Sequence, residues 1–162
     1  LTLLTAAGTQ SGPYSPPATP DQKLFGSFIQ SPYEGIHQDN NRVVFTVENI
    51  PYEKYDVIIY VQADSTGRTG SVTLSNSPVD YYYSTPSNYD SYVQTTSTSS
   101  DEYMTGNYMV FEALTGASFT MSRPIVNNWS GVTGFQIVEV PEPGGLMLLT
   151  AGVLAVMRRH RR

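Results

Sequence analysis

Between residues 21 and 140 the chain repeats one pattern, a short run of alternating apolar and polar residues closed by proline or glycine. Residues 41–50 carry Val43, Phe45 and Val47 on one side of a pleat and Arg42, Thr46 and Glu48 on the other, with Val44 a mild exception. A two-residue period of this kind belongs to a strand with one buried face. Residues 55–63 differ, because Val57, Ile59 and Val61 share one face while Ile58 and Tyr60 make the other partly apolar. That profile predicts a central strand covered on both sides. Further strands are predicted at 24–30, 71–75, 79–83, 107–113, 118–122 and 134–140, separated by Pro51, Gly67, Gly70, Pro78, Pro86, Gly106, Gly116, Pro124 and Gly131. Residues 84–102 are poor in aliphatic side chains and predict a long excursion with one strand around Tyr92. No window before residue 144 has a helical period.

Some eight closely spaced strands, with one Trp, twelve Tyr and six Phe to fill the space between sheets, predict an all-β, antiparallel β-sandwich. Residues 21–140 are enough for one core. Residues 9–20 are small, polar and proline-rich, so 1–20 is expected to be a linker or the remnant of a preceding region.

The end of the chain obeys different rules. Pro141-Glu142-Pro143 is followed by an uncharged apolar run, Gly144 to Met157, and then by Arg158, Arg159, His160, Arg161 and Arg162. Two prolines fix φ and hold the peptide extended and open. The apolar run predicts a single short transmembrane helix, and the arginines predict a stop on the cytoplasmic side. Fourteen residues rise about 21 Å as a helix against roughly 30 Å of hydrocarbon. Snorkelling arginines and local thinning make up part of the difference.

Charge divides at the same place. Residues 1–140 hold five Lys/Arg against thirteen Asp/Glu, a net of about −8, whereas 141–162 hold four against one. An acidic body argues against nucleic acid or an anionic membrane surface as partner. There is no cysteine, hence no disulfide, thiolate nucleophile or Cys-based metal site. The first residues, Leu1-Thr2-Leu3-Leu4, lack the charged start of a signal peptide, and the sequence is expected to be the C-terminal part of a longer exported precursor.

In order and spacing, residues 140–162 resemble the PEP-CTERM sorting signal of Gram-negative and related bacteria. The resemblance implies recognition of Pro141, Glu142 and Pro143 by an exosortase, a membrane cysteine transpeptidase. It also implies a precursor lodged in the inner membrane through 144–157, with Arg158, Arg159, Arg161 and Arg162 inside. The body resembles ectodomains of planctomycete- and verrucomicrobia-type PEP-CTERM proteins. The residues that carry this are Ile50-Pro51 with Tyr55-Asp56-Val57-Ile58-Ile59-Tyr60, Gly106-Asn107-Tyr108-Met109-Val110-Phe111, Gly134-Phe135-Gln136-Ile137-Val138, and the opening Asp21 to Leu24. Glu53-Lys54 stand where that pattern has a turn glycine, and Phe135 where it has Ile or Leu. The implied fold is a jelly roll, similar to galactose-binding-like and carbohydrate-binding modules.

Candidate chemistry is sparse. His160 lies in the tail, leaving His37, in a polar loop, as the one imidazole of the body; it reads as a solvated loop residue. No Gly-x-Ser-x-Gly, His-Glu-x-x-His or phosphate-binding glycine loop is present. Asp101 and Glu102 are adjacent and would point to opposite faces of an extended stretch, while Asp64, Asp80 and Asp90 sit in loops or at strand ends. Surface solubility explains these acids better than a glycosidase pair does. No cofactor is expected. A structural Ca²⁺ has Asp21, Asp39, Asp64 and Glu139 as candidate ligands, without an Asp-x-Asp-x-Asp-Gly loop.

The aromatic cluster Tyr81-Tyr82-Tyr83, with Tyr89 and Tyr92 nearby, offers flat faces for sugar rings, with Asn88, Asp90 and Gln94 as hydrogen-bonding neighbours. In a strand, Tyr81 and Tyr83 face one way and Tyr82 the other, so core packing competes with ligand contact. Trp129 is either a ligand platform or a lid over the end of the sandwich. The expected product is an exported, non-enzymatic surface or extracellular-matrix protein. Carbohydrate binding is the alternative, glycoside hydrolysis a remoter one, and polysaccharide the candidate partner beyond the exosortase.

Overall fold

The computed structural model describes residues 2–5, 8–11, 19–30, 42–87, 89–124 and 130–141. Within them the chain forms β1 (Thr2–Thr5), β2 (Gly8–Ser11), α1 (Pro20–Leu24), β3 (Ser27–Gln30), β4 (Arg42–Glu48), β5 (Lys54–Ala63), β6 (Thr69–Leu74), β7 (Tyr81–Ser84), β8 (Met104–Thr105), β9 (Tyr108–Thr115), β10 (Ser118–Pro124) and β11 (Ser130–Glu139). One sheet runs β1-β4-β10-β6-β7-β8 and the other β2-β3-β11-β5-β9.

The two-residue period decides what lies between the sheets. Val43, Phe45 and Val47 of β4 and Phe119 and Met121 of β10 meet Tyr55, Val57, Ile59 and Val61 of β5 and Met109, Phe111 and Leu114 of β9 in a single core. Rings from opposite sheets touch across it. Phe45 of β4 stacks on Phe135 of β11 at 5.2 Å, and Tyr81 of β7 meets Phe111 of β9 edge-on at 4.9 Å. Phe135, the departure from the aliphatic pattern, is therefore used in aromatic packing worth about 0.5–1.5 kcal/mol beyond its area. A bulge between Val132 and Gly134 lets Val132 and Phe135 face the same core.

Several expectations change. The sandwich is not wholly antiparallel, because β7 and β8 pair in parallel. Residues 2–5 and 8–11, expected as linker, are strands that extend the sheets beside β4 and β3. The predicted strand at 24–30 begins instead with the end of α1, a single helical turn that was not expected, and becomes a strand at Ser27. The excursion after β7 contributes an isolated parallel bridge, Gln94 to Tyr108, in place of a strand around Tyr92. The predicted transmembrane segment 144–157 lies outside the described residues. Among those described, no helix is long and apolar enough to cross a membrane.

At its end β11 runs the length of β5, pairing Ser130 with Ala63 and Glu139 with Tyr55, and the Val140 N–H donates to the Lys54 carbonyl at 3.0 Å. The ladder thus holds the chain up to the residue before Pro141, which is exposed.

Gly131 marks the tightest approach in the second sheet. A Cβ there would stand 2.1 Å from the Ile29 carbonyl oxygen and 2.7 Å from the Phe28 ring. Gly131→Ala must separate β3 from β11, and a loss of about 1–3 kcal/mol is expected from overpacking. The urea midpoint measures it; an unchanged midpoint would contradict the packing described.

Candidate functional site

The Tyr81–Tyr83 row divides between core and surface. Tyr83 is fully buried. Its hydroxyl accepts a hydrogen bond from Arg123 Nε at 2.7 Å and lies 3.5 Å from Ser130 Oγ, to which Arg123 Nη2 also donates. Arg123 follows Phe119 and Met121 on the inward parity of β10 and is itself buried. Gly70, paired with Tyr83, makes room for this group, since a Cβ there would lie 2.6 Å from the Tyr83 hydroxyl. Tyr83 is thus an interior residue that solvates a buried guanidinium, not a surface platform. Tyr81 is half-buried against Phe111, and Tyr82 meets Tyr103 edge-on at 5.9 Å. Trp129, His37 and Asn88 lie outside the described residues, as do Glu142, Pro143 and the arginines 158, 159, 161 and 162.

A different aromatic group gathers on the outer face of β5. Tyr60 and Tyr108 are direct cross-strand partners, and their rings lie 6.1 Å apart. Tyr92 leans onto both, at 5.8 Å from Tyr60 and 6.3 Å from Tyr108, edge to face. Phe25, just past α1, packs on Tyr60, Tyr89 and Tyr92. Beside these rings a cleft of about 260 Å³ is lined by Ile58, Tyr60, Tyr92 and Tyr108. Tyr60 is almost buried and forms the floor; Tyr92 is 44% exposed and forms the rim.

Tyr92 sits in a stretch without regular structure, yet it is held from both sides. The buried Asn107 donates through Nδ2 to the Ser91 carbonyl and accepts through Oδ1 from the Val93 N–H, each at 2.8 Å. The backbone N–H of Asn107 donates to the Val93 carbonyl, also at 2.8 Å, and the Thr95 N–H donates to the Tyr108 carbonyl at 2.9 Å. Gly106 permits this approach, because a Cβ there would stand 2.6 Å from the Thr95 nitrogen. The Tyr89 hydroxyl accepts from the Ala63 N–H at 3.1 Å and ties the near end of the excursion to β5.

The partly apolar outer face of Ile58 and Tyr60 was legible in the sequence. The sequence marks Tyr92 as a neighbour of the Tyr81–Tyr83 row and the centre of a predicted strand, and Asn107 as part of a strand and of the Gly106–Phe111 resemblance, but links neither to the outer face of β5. Among the acids, Asp64 pairs with Arg68 at 2.9 Å and Asp101 is exposed. Among the described residues no group of three or more His, Asp or Glu is placed to hold a metal ion; Asp39, one of the calcium candidates, lies outside them. Burial holds the Tyr60 phenol above its usual range, with the neighbouring Tyr108 adding to the effect. Burial likewise raises Tyr55, partly offset by the hydrogen bond from Asn76, and raises Tyr81, helped by Glu112.

Residues 139–162 match the PEP-CTERM protein-sorting motif. The motif marks a membrane-anchored precursor that is exported and handed to an exosortase for processing. No curated protein and no solved structure matches the chain.

Two expectations follow from the geometry. Asn107→Ala leaves the Ser91 carbonyl and Val93 N–H without their partner, at a cost of about 1–3 kcal/mol, and hydrogen exchange at residues 91–95 should accelerate while β5 stays protected. Unchanged exchange there would mean that another contact holds the segment. Because burial holds Tyr55, Tyr60 and Tyr81 above the ordinary phenol value of 10.0, the unfolded chain loses phenolic protons first as pH rises. Their contribution is therefore complete below pH 10 and is lost as pH climbs through the raised folded values. A urea midpoint that falls above pH 10, less steeply in Tyr60→Phe, is the expected result.

Proposed function

We propose that the chain delivers a non-enzymatic β-sandwich to the cell surface or an extracellular matrix, with the sorting motif as its address and polysaccharide as the partner of the delivered domain. The observation that carries this is the coincidence of two boundaries. The sorting motif is matched from residue 139, and β11 ends at Glu139 with Val140 still hydrogen-bonded to Lys54. A folded body and a processing signal are joined with no intervening segment.

In this reading Gly144–Met157 lodges in the inner membrane and the terminal arginines hold its cytoplasmic end. Pro141, Glu142 and Pro143 serve as recognition residues. The body follows the jelly-roll plan, for which strand order is the support. Leaving aside β1, β2 and the two-residue β8, the remaining eight strands run β3-β11-β5-β9 in one sheet and β4-β10-β6-β7 in the other. First and last strands are neighbours, as are second and next-to-last, which is the winding of a double Greek key.

Replacement of Pro141-Glu142-Pro143 by three alanines should leave uncleaved protein in the inner-membrane fraction of a host that encodes an exosortase. Immunoblotting of fractionated cells reads this out, and normal processing of that variant would sink the proposal.

A further inference from the structure

We infer that Tyr60, Tyr92 and Tyr108 form a stacking subsite for one pyranose ring of a neutral, β-linked polysaccharide. This rests on the reading above that polysaccharide is the partner of the delivered domain, and it gives that partner a site and a chemical class.

Three observations carry the inference. The first is that the exposed ring is preorganised. Loop tyrosines are ordinarily free to turn, but here one buried side chain, Asn107, bonds the residues immediately before and after Tyr92. An aromatic held in place before binding loses little freedom when a ligand arrives. The second is size. A cleft of about 260 Å³ lies just below the roughly 300–1,000 Å³ of small-molecule pockets, and it suits a single ring. A protein partner would need roughly 800 Å² on this side.

The third is chemistry. The walls are aromatic and aliphatic, Ile58 with three tyrosines, and the tyrosine hydroxyls supply polar groups at their edges. A β-linked, glucose-type pyranose presents axial C–H groups on both faces and equatorial hydroxyls around its rim, so its faces match the rings and its rim matches the hydroxyls. Gln136, exposed and paired with Ile58 on the same face of the sheet, adds an amide one strand away. Charge selects the class. The body carries five Lys/Arg against thirteen Asp/Glu, and Asp90, two residues from Tyr92, is exposed. Uronate or sulfated polymers meet a repulsive field there and neutral ones do not.

The test is affinity electrophoresis of the full chain in mild detergent, through native gels containing hydroxyethylcellulose, a neutral β-glucan, or alginate, an acidic polymer. Retardation by the glucan alone is expected. Tyr92→Ala should weaken it about tenfold, on the order of one aromatic contact, while Tyr92→Trp retains it and Tyr82→Ala, on the other sheet, leaves it unchanged. Equal urea midpoints for Tyr92→Ala and the parent chain exclude unfolding as the cause. Retardation undiminished in Tyr92→Ala would overturn the site and leave the partner standing. Retardation by alginate but not by glucan would overturn the class. Free migration through both gels would overturn the site and the partner together.

Discussion

Strand β5 has two faces to bury, and much of the remaining architecture answers to that requirement. Its inner residues, Tyr55, Val57, Ile59 and Val61, are covered by the opposite sheet. Its outer residues, Ile58, Tyr60 and Gln62, cannot be covered by a third sheet. They are covered by the turn after α1, which brings Phe25, and by the excursion after β7, which brings Tyr89 and Tyr92. Gln62 is fully buried on that face, and neither atom of its amide has a hydrogen-bond partner among the described residues. The covering is thus apolar as far as Gln62 and opens at Tyr60, where the cleft begins.

Two glycine-dependent contacts make this covering compatible with a sandwich. Gly106 lets the Thr95 backbone lie against the start of β9, and Gly131 lets Phe28 lie across β11. Neither position needs unusual torsion; each needs the missing side chain. The buried Arg123 is a different compromise. It stands at the inward end of β10, where alternation calls for an apolar residue, and it is accommodated by Tyr83 and Ser130 over the space left by Gly70. Burying a guanidinium is costly without such partners, so these residues act as a unit.

The central strands were legible because alternation and breakers agree. β4, β5, β9 and β10 fall where the period-two runs are, between the expected prolines and glycines, whereas β11 begins at Ser130 rather than 134 and runs through Gly131, as β6 runs through Gly70, so these two expected breaks are ladder positions. The first two strands were not. Thr-Leu-Leu-Thr and Gly-Thr-Gln-Ser are too short and too mixed to show a period, and their strand state depends on the edges of β4 and β3, which are distant in sequence. The same limit hid α1, whose five residues complete little more than one turn. At the site, local pattern exposed the apolar outer face of β5 but not its occupant. Tyr92 reaches that face through hydrogen bonds to Asn107, made across fourteen and sixteen residues. Arg123 was hidden for the converse reason, since a charged residue near a strand end reads as surface. The sorting tail, by contrast, is legible in the sequence because membrane insertion depends on order and composition alone.

The hydrogen bond from Val140 to Lys54 has a mechanical consequence. Four peptide steps separate Val140 from Gly144, and a fully extended chain covers at most about 13–14 Å in that distance. With a span that starts at Gly144, as proposed above, that length is all that separates the end of the sandwich carrying Lys54, Thr115 and Glu139 from the lipid. The proposal then demands an enzyme whose reach, more than any slack in its substrate, brings it to the motif.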